Sequence, residues 1–396
     1  MARTIYRMTS PSDFTSTAID RIRTAAAAGS SLRIRGGGSK DFYGQALEGD
    51  IFDTTPLDGV VSYEPSELVI TVLAGTPLAE VEALLLAHGQ CLAFEPPHIS
   101  HASTSPPLGG GTVHSGTIGG MVASGLSGPA RASAGAVRDF VLGVKLINGK
   151  GEHLTFGGQV IKNVAGYDVS RLMVGAMGTL GLLTEISLKV LPIAPGEATL
   201  RFEMTQAQAL EQLNTWGGQP LPLNASCWVN ENEINTGVGA LYLRLRGAVA
   251  AVEAACTRLG GERMPQAQTA ADWNLCRDQQ LQWFKDRKAG QDLWRLSVPQ
   301  TTPVLDLPDS PLIEWHGGLR WVRADSQDSA QGQRLRELAR KAGGHATLFI
   351  AACAHNTSAT AVFDALKPPL DRIHRELKRE FDPAGVFNPH RMSLDW

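Results

Sequence analysis

Two glycine clusters stand out as places where the backbone itself can meet a ligand. Arg35-Gly36-Gly37-Gly38-Ser39 directly follows Ser31–Arg35, an alternating apolar run that reads as a strand. Three successive residues without a Cβ let backbone N–H groups converge on an anion. Ser39 and Arg35 are further donors there. Ser115-Gly116-Thr117-Ile118-Gly119-Gly120-Met121-Val122 places glycines at the start of a short helix. A helix start offers free N–H groups and the positive end of the dipole. Two separated loops of this kind suit an elongated diphosphate gripped from both sides. Neither fits the dinucleotide fingerprint: Gly109-Gly110-Gly111-Thr112-Val113-His114 lacks the third glycine and follows no tidy strand.

Other chemistry-bearing residues read as structural. His98, His101 and His114 follow Pro96-Pro97 and share no helix face, so a surface loop is expected rather than a metal site. Five cysteines (Cys91, Cys227, Cys256, Cys276 and Cys353) are scattered with no C-x-x-C pair. That speaks against a disulfide framework and against a zinc or iron–sulfur site held by this chain alone; no metal is predicted. Near Lys162, Asn163 and Tyr167, Asp168 reads as a helix cap. Arg295, Arg320 and Arg323 read as solvated strand faces. The tryptophans read as core packing rather than as an electron path.

The elements that must position the loops follow from periodicity. Leu68–Leu73 is a β-branched run ending at Gly75. Thr76 is expected to cap a helix with Pro77 at its first position, an apolar face of Leu78, Val81, Leu85 and Leu86, and a stop at Gly89. Phe140–Ile147, Asn148-Gly149 and His153–Phe156 read as a hairpin, and Leu182–Leu191 as another strand. Further on, strands are expected near 198–204, 224–230, 240–246, 293–298, 312–316, 319–323 and 345–352. Helices are expected near 205–216, 248–259, 327–342 and 359–380. Strand–helix–strand–strand–helix order suggests an antiparallel α+β sheet. No sequence repeat of 20–50 residues is apparent.

Of the 42 glycines, 27 lie between residues 29 and 181, whereas all eight tryptophans follow residue 215. The two shifts place a boundary in the Pro/Gly-bearing link after Lys189-Val190-Leu191-Pro192. The chain has 396 residues, 43% hydrophobic, enough for a sizeable core. Lys+Arg 36 against Asp+Glu 39 leaves −3, which argues against nucleic-acid binding through net charge. No stretch approaches the roughly 18 apolar residues of a membrane helix. No secretory signal is visible, so a cytoplasmic protein is expected.

The segments R-G-G-G-S at 35–39, T-I-G-G-M at 117–121, V-R-D-F-V-L-G at 137–143, Lys162–Pro192 and F-D-P-A-G-V-F-N-P-H-R at 381–391 together resemble the FAD-binding fold of the p-cresol methylhydroxylase/vanillyl-alcohol oxidase (PCMH/VAO) type. Glu95-Pro96-Pro97-His98, Leu293-Trp294-Arg295 and Gly343–Thr347 narrow the resemblance to the FAD-binding E subunits of glycolate oxidase (glycolate dehydrogenase). The resemblance implies an α+β fold. A PCMH/VAO-type FAD domain would span 1–195 and an antiparallel, ferredoxin-like cap 196–380, with 381–396 returning to the flavin. It implies that Gly36, Gly37, Gly38, Ser39, Thr117, Ile118, Gly119 and Gly120, with Arg35 beside them, hold the pyrophosphate. Gly135 and Val137 would pass the flavin or ribityl chain, and Glu185 and Ile186 would touch the adenosine half through their backbone. Asn388 and Arg391 would approach the ring, where a cation suits the negative charge of reduced flavin.

Ser39 stands where several relatives bond a histidine to the flavin, so noncovalent FAD is expected. The C-terminal H-G-D-G-N-x-H and G-E-H-G clusters of catalytic relatives are missing. His316-Gly317-Gly318 and His345-Ala346-Thr347 lie in similar regions without the carboxylate or paired histidines. Catalytic residues therefore remain unassigned. The resemblance implies a subunit of a glycolate dehydrogenase that oxidises glycolate, a small 2-hydroxy acid, to glyoxylate, with this chain's flavin assisting or relaying electrons. The implied partners are a larger FAD-binding subunit and an iron–sulfur subunit. The implied location is the cytoplasm, with peripheral attachment to the inner membrane through the complex. A non-catalytic scaffold subunit and a stand-alone FAD-dependent 2-hydroxy acid oxidase are the alternatives.

Overall fold

The structure, a computed structural model, describes residues 11–45, 48–99, 115–158, 168–231, 237–352 and 361–395. His101, Gly109–His114, Lys162, Asn163, Tyr167, Cys353 and Trp396 lie outside the described residues.

The N-terminal half opens with helix α1 (Pro11–Ala28), which the sequence reading did not foresee, and strands β1 (Leu32–Arg35) and β2 (Asp50–Asp53). β1 and β2 pair in parallel. β3 (Val60–Glu64) and β4 (Val69–Leu73) lead to α2 (Leu78–Ala87) and the short β5 (Gln90–Cys91). The expected helix is present but its start differs. Pro77 takes the N-cap position, and Thr76 turns its hydroxyl to the backbone of Gly59. The Leu78 N–H is instead satisfied by the carbonyl of Gly116 at 2.8 Å, so the second glycine segment does the work of a cap side chain. Leu78, Val81 and Leu85 are buried as expected, whereas Leu86 faces solvent at 65% exposure.

Helices α3 (Ile118–Ser124) and α4 (Arg131–Ala134), the hairpin β6 (Val141–Ile147) and β7 (His153–Gly157), α5 (Val169–Leu172), β8 (Leu182–Lys189) and β9 (Leu191–Pro192) complete this half. The hairpin turns over 148–152, where Asn148 Oδ1 accepts from the N–H groups of Lys150 and Glu152. Asp168 caps α5, accepting from the Arg171 N–H. β3, β4, β8, β6 and β7 form one antiparallel sheet in that order. Its inner face packs Ile70, Val72, Val144 and Ile186 against α2 and α3.

The second half is a single eight-stranded antiparallel sheet. β10 (Gly196–Thr205), α6 (Gln206–Gly217), β11 (Leu223–Val229), β12 (Val238–Gly247), α7 (Val249–Leu259) and β13 (Glu262–Arg263) come first. Thr205 and Gln208 form a reciprocal capping box on α6. α8 (Gln266–Arg277) and α9 (Gln282–Lys285), both unforeseen, connect to β14 (Gln291–Ser297), β15 (Leu312–Glu314), β16 (Leu319–Asp325), α10 (Gln331–Lys341) and β17 (His345–Ile350). The strand order is β13-β10-β12-β11-β15-β16-β14-β17. Each half of that order is the same ferredoxin-like arrangement, and the two join edge to edge where β11 pairs with β15. The repeat is invisible in sequence because the second copy lacks the helix after its first strand.

Seven tryptophans pack inward. Trp273, Trp283, Trp315 and Trp321 share a cluster with Tyr43, Leu126 and Met177 of the N-terminal half, which docks the two halves. The expectation of solvated strand arginines fails. Arg320 is wholly buried and donates to the Thr302 carbonyl. Arg323 pairs with Asp309, and Arg295 stacks on Trp315. α11 (Leu370–Phe381) starts at Leu370 rather than near 359, because Pro368-Pro369 precedes it. The chain then returns to β1: the Leu32 N–H donates to the Val386 carbonyl at 2.7 Å and the Asn388 N–H to the Leu32 carbonyl at 3.0 Å.

Candidate flavin-nucleotide site

The first glycine loop begins where β1 ends. Arg35 is held by its carbonyl, which accepts from the Thr54 N–H, and by its guanidinium, which pairs with Asp41 at 2.8 Å. Arg33 joins the same carboxylate at 2.9 Å. Beyond Arg35, the N–H groups of Gly36, Gly37, Gly38 and Ser39 donate to no acceptor among the described residues. Gly38 sits at φ +77°, and a Cβ there would overlap the Arg35 guanidinium. A Cβ on Gly36 would overlap Thr117 Oγ1. The loop therefore needs Gly36 and Gly38, and it offers a row of unpaired donors to an anion.

The second loop lies against the first. A Cβ on Gly116 would approach Ser39 Oγ at 3.3 Å. Its hydrogen bonding is different. The Ile118 N–H donates to the Thr76 carbonyl at 2.9 Å, Gly119 to Ala74 at 2.7 Å, and Gly120 to Thr117 Oγ1 at 3.2 Å. The free helix-start donors expected here are taken by the protein. Ile118 is buried in the core. The loop's contribution is close backbone approach and a surface without side chains.

The two loops line one cleft, bounded by Gly36, Gly119, Gly120, Met177, Gly178 and Asn388. Asn388 is brought there from the far end of the chain. Its Oδ1 accepts from the Ile34 N–H at 2.8 Å, and its Nδ2 donates to the Met177 carbonyl at 2.6 Å. The returning segment is clamped by Lys378, whose Nζ reaches Asp382 at 2.6 Å and the carbonyls of Thr179 and Phe387 at 2.8 and 3.0 Å. Asp382 in turn accepts from the N–H groups of Val386 and Phe387.

Not every expected residue reaches the cleft. Arg391 lies beside the first loop, but its guanidinium donates to the carbonyls of Lys40, Asp41, Tyr43 and Gln45. Burial draws its pKa down to about 10. It organises the loop rather than presenting a free charge. Glu185 and Ile186 sit mid-strand between β4 and β6, with Glu185 paired to Lys145 at 2.9 Å and Ile186 buried. Gly135 (φ +104°) ends α4 beside Asp139, and Val137 is core. None of these four lines the cleft.

Several polar residues near the docking face were not singled out as site residues. Glu95, at φ +49°, accepts two bonds from buried Arg244 at 2.7 Å, one from Arg246 at 3.1 Å, and one from the Ala130 N–H. Burial alone would raise its pKa, but the two arginines outweigh that and hold it low. His316 bridges Ser226 at 3.1 Å and Ser133 at 3.0 Å, and burial pushes its pKa down to about 4. Glu314 accepts from Trp321 Nε1 at 2.7 Å, and burial raises it to about 7. It lines a second, smaller cleft with Ser127, Gly128 and Arg295. Lys40 carried the one available signal, its place directly after the loop.

The unpaired N–H row, the Cβ-free walls and the adjoining cleft fit an FAD diphosphate. Comparison with known proteins agrees. The family described as FAD binding domain matches residues 15–105 and 98–157. Glycolate oxidase subunit GlcE of Escherichia coli (strain K12) is 42% identical over 380 residues, covering 96% of this chain and 97% of that protein. Glycolate oxidase subunit GlcD of Bacillus subtilis (strain 168) is 39% identical over 84 residues, 21% of this chain and 18% of that one. Among solved structures, an alkyldihydroxyacetonephosphate synthase superposes with a TM-score of 0.60 at 16% identity, over 94% of this chain and 74% of its own, a likeness of fold alone. The fold is the PCMH/VAO type with an antiparallel cap, FAD is its cofactor, and the chain belongs to the family of FAD-binding glycolate oxidase subunits represented by GlcE.

Proposed function

We propose that this chain is the FAD-carrying subunit of a glycolate-oxidising complex, and that its flavin assists or relays electrons while glycolate is oxidised mainly on a larger flavoprotein partner. The observation that carries this reading is the near full-length match to a glycolate oxidase subunit, joined to the row of unpaired N–H groups at Gly36–Ser39. Residues 1–195 act as the FAD domain, 196–380 as the cap and 381–396 as the returning segment. The FAD is noncovalent, because Ser39 stands in the loop position that would carry a flavin-linked histidine. Bound FAD supplies an acceptor for a hydride and a donor for single electrons.

The chain's own residues do the rest. The N–H groups of Gly36–Ser39 bind the diphosphate. Asn388 fixes the cleft wall by tying β1 to Met177. The docked cap, held by Glu95, Arg244 and the tryptophan cluster, excludes water. An iron–sulfur subunit takes electrons onward towards the membrane. Among the described residues no helix is long and apolar enough to cross a membrane, so peripheral attachment would run through the complex.

The test compares the purified subunit with the reconstituted complex. Acid precipitation releases the flavin from the subunit. Anaerobic glycolate leaves the lone subunit's flavin band almost unchanged and bleaches it in the complex. Rapid bleaching of the lone subunit would put the oxidation on this chain.

A further inference from the structure

We propose that the Lys40 ammonium is the charge partner of the FAD diphosphate, standing where the two glycine loops meet. This rests on the placement of FAD on those loops. Lys40 directly follows the four unpaired N–H groups. Its Nζ is 3.4 Å from Ser39 Oγ, and a Cβ on Gly116 of the opposite loop would lie 3.6 Å away from it. No carboxylate lies within ion-pair distance of it among the described residues. The nearest acidic influence is Asp278, whose oxygens are already engaged by Arg277 at 2.8 and 2.9 Å and by the His98 N–H at 2.8 Å.

The other cations of the region are engaged. Arg33 and Arg35 share Asp41, and Arg391 holds loop carbonyls. In the second loop the N–H groups of Ile118, Gly119 and Gly120 are taken by the protein. A diphosphate over Gly36–Ser39 would thus meet backbone dipoles and one unpaired ammonium. A cation withdrawn from water without a counter-charge is costly, and an anion bound beside it removes that cost. Burial draws the Lys40 amine down to about 8, with Asp278 opposing. An adjacent diphosphate raises it again.

The sign follows. Well below pH 8 the amine is already charged and FAD binding moves almost no proton. Above pH 8 binding must first protonate it, so affinity falls as pH rises towards the raised value. Binding takes up about half a proton at pH 8 and approaches one near pH 9.

The experiment titrates apoprotein with FAD by calorimetry at pH 7, 8 and 9 in buffers of different ionisation enthalpy. Wild type should show the uptake. Lys40→Met should bind FAD roughly 10- to 100-fold more weakly at pH 7 and show none. Lys40→Arg should keep affinity within a few-fold and also lose the uptake, because a guanidinium stays charged. That variant guards against simple misfolding of Lys40→Met. Unchanged affinity in Lys40→Met, or the same proton uptake in either variant, overturns the assignment. Gly36→Val separates the two readings. If it keeps FAD, the loop placement itself falls. If it loses FAD with its fold intact while Lys40→Met keeps FAD, only the Lys40 assignment falls.

Discussion

The two glycine loops touch each other, and their sequences advertise the same talent. Around the first, Gly36–Ser39 keep four N–H groups unpaired and Lys40 lacks a counter-ion among the described residues. Around the second, Ile118, Gly119 and Gly120 each have a protein acceptor, and on the side of the docked cap Glu95 and His316 are bonded too. Glycine therefore has two jobs here. In the first loop it exposes donors to a ligand. In the second it lets two backbones meet. Accounting for each N–H tells these jobs apart, whereas residue type does not.

If that contrast holds, changes on the second side should strike folding, and changes facing the cleft should strike FAD. The largest effect is expected from Glu95→Ala. It strands Arg244, only 2% exposed, without its carboxylate. Loss of one partner of a buried pair costs about 3–5 kcal/mol. Urea unfolding of the apoprotein measures it, and a loss below about 1 kcal/mol would show that the Glu95 network is not what docks the cap.

Acid should act next. His316 is held neutral in the fold at a pKa of about 4, against an ordinary 6.5. The unfolded chain then binds more protons between those values. Its contribution is complete above pH 6.5 and is lost as pH falls towards 4, on the order of 3 kcal/mol in total. Glu314 works in the opposite sense. Its folded pKa near 7 favours the protonated form, so its contribution is complete below 4.5 and is lost as pH rises to 7. The two slopes oppose one another in wild type. Glu314→Gln should therefore steepen the rise of stability between pH 4.5 and 6.5, read by denaturant midpoints across that range. An unchanged slope would remove Glu314 from the balance.

The sharpest division lies between adjacent glycines given the same substitution. A Cβ on Gly119 would lie 2.8 Å from the Ala74 carbonyl oxygen and 2.9 Å from its Cβ. Gly119→Ala must shift backbone and should lower apoprotein stability by about 1–3 kcal/mol. A Cβ on Gly120, which lines the cleft as Gly119 also does, meets only Thr117 Oγ1 at 3.2 Å. Gly120→Ala should leave stability unchanged or raise it by up to ~1 kcal/mol, since alanine suits a helix better. Its FAD affinity should drop about tenfold, by crowding the ligand. Equal behaviour of the two variants would erase the distinction between a glycine that lets backbones meet and one that faces the ligand.

Much of the fold could be read from pattern. β4, β6 and β8 were visible as apolar runs, and a helix was expected near 205–216 where α6 runs. α1 was missed because its buried face is Ala18, Ile22 and Ala25, and small residues give little hydrophobic contrast. α8 buries Thr269, Trp273 and Cys276, an equally weak stripe. Arg320 read as a surface residue because sequence does not show that the Thr302 carbonyl waits for it. Within the candidate site, Gly36–Ser39 and Asn388 were legible as motifs. The roles of Arg391 and Lys40 were not, because both are defined by which acceptors lie nearby.

Local chemistry fixes what depends on neighbours along the chain. Three successive glycines leave a stretch of backbone without Cβ atoms, a β-branched run favours a strand, and a threonine at a helix start favours its cap position. By itself the sequence thus determined most of the elements, the two loops and the family resemblance. Tertiary structure decided which loop keeps its donors. It brought the carbonyls of Ala74 and Thr76 to the N–H groups of Gly119 and Ile118, across 45 and 42 residues of chain. It also set Asn388 against Ile34 and wrapped the 40–45 carbonyls around Arg391. Whether a polar group is free or engaged depends on partners distant in sequence, and folding alone supplies those.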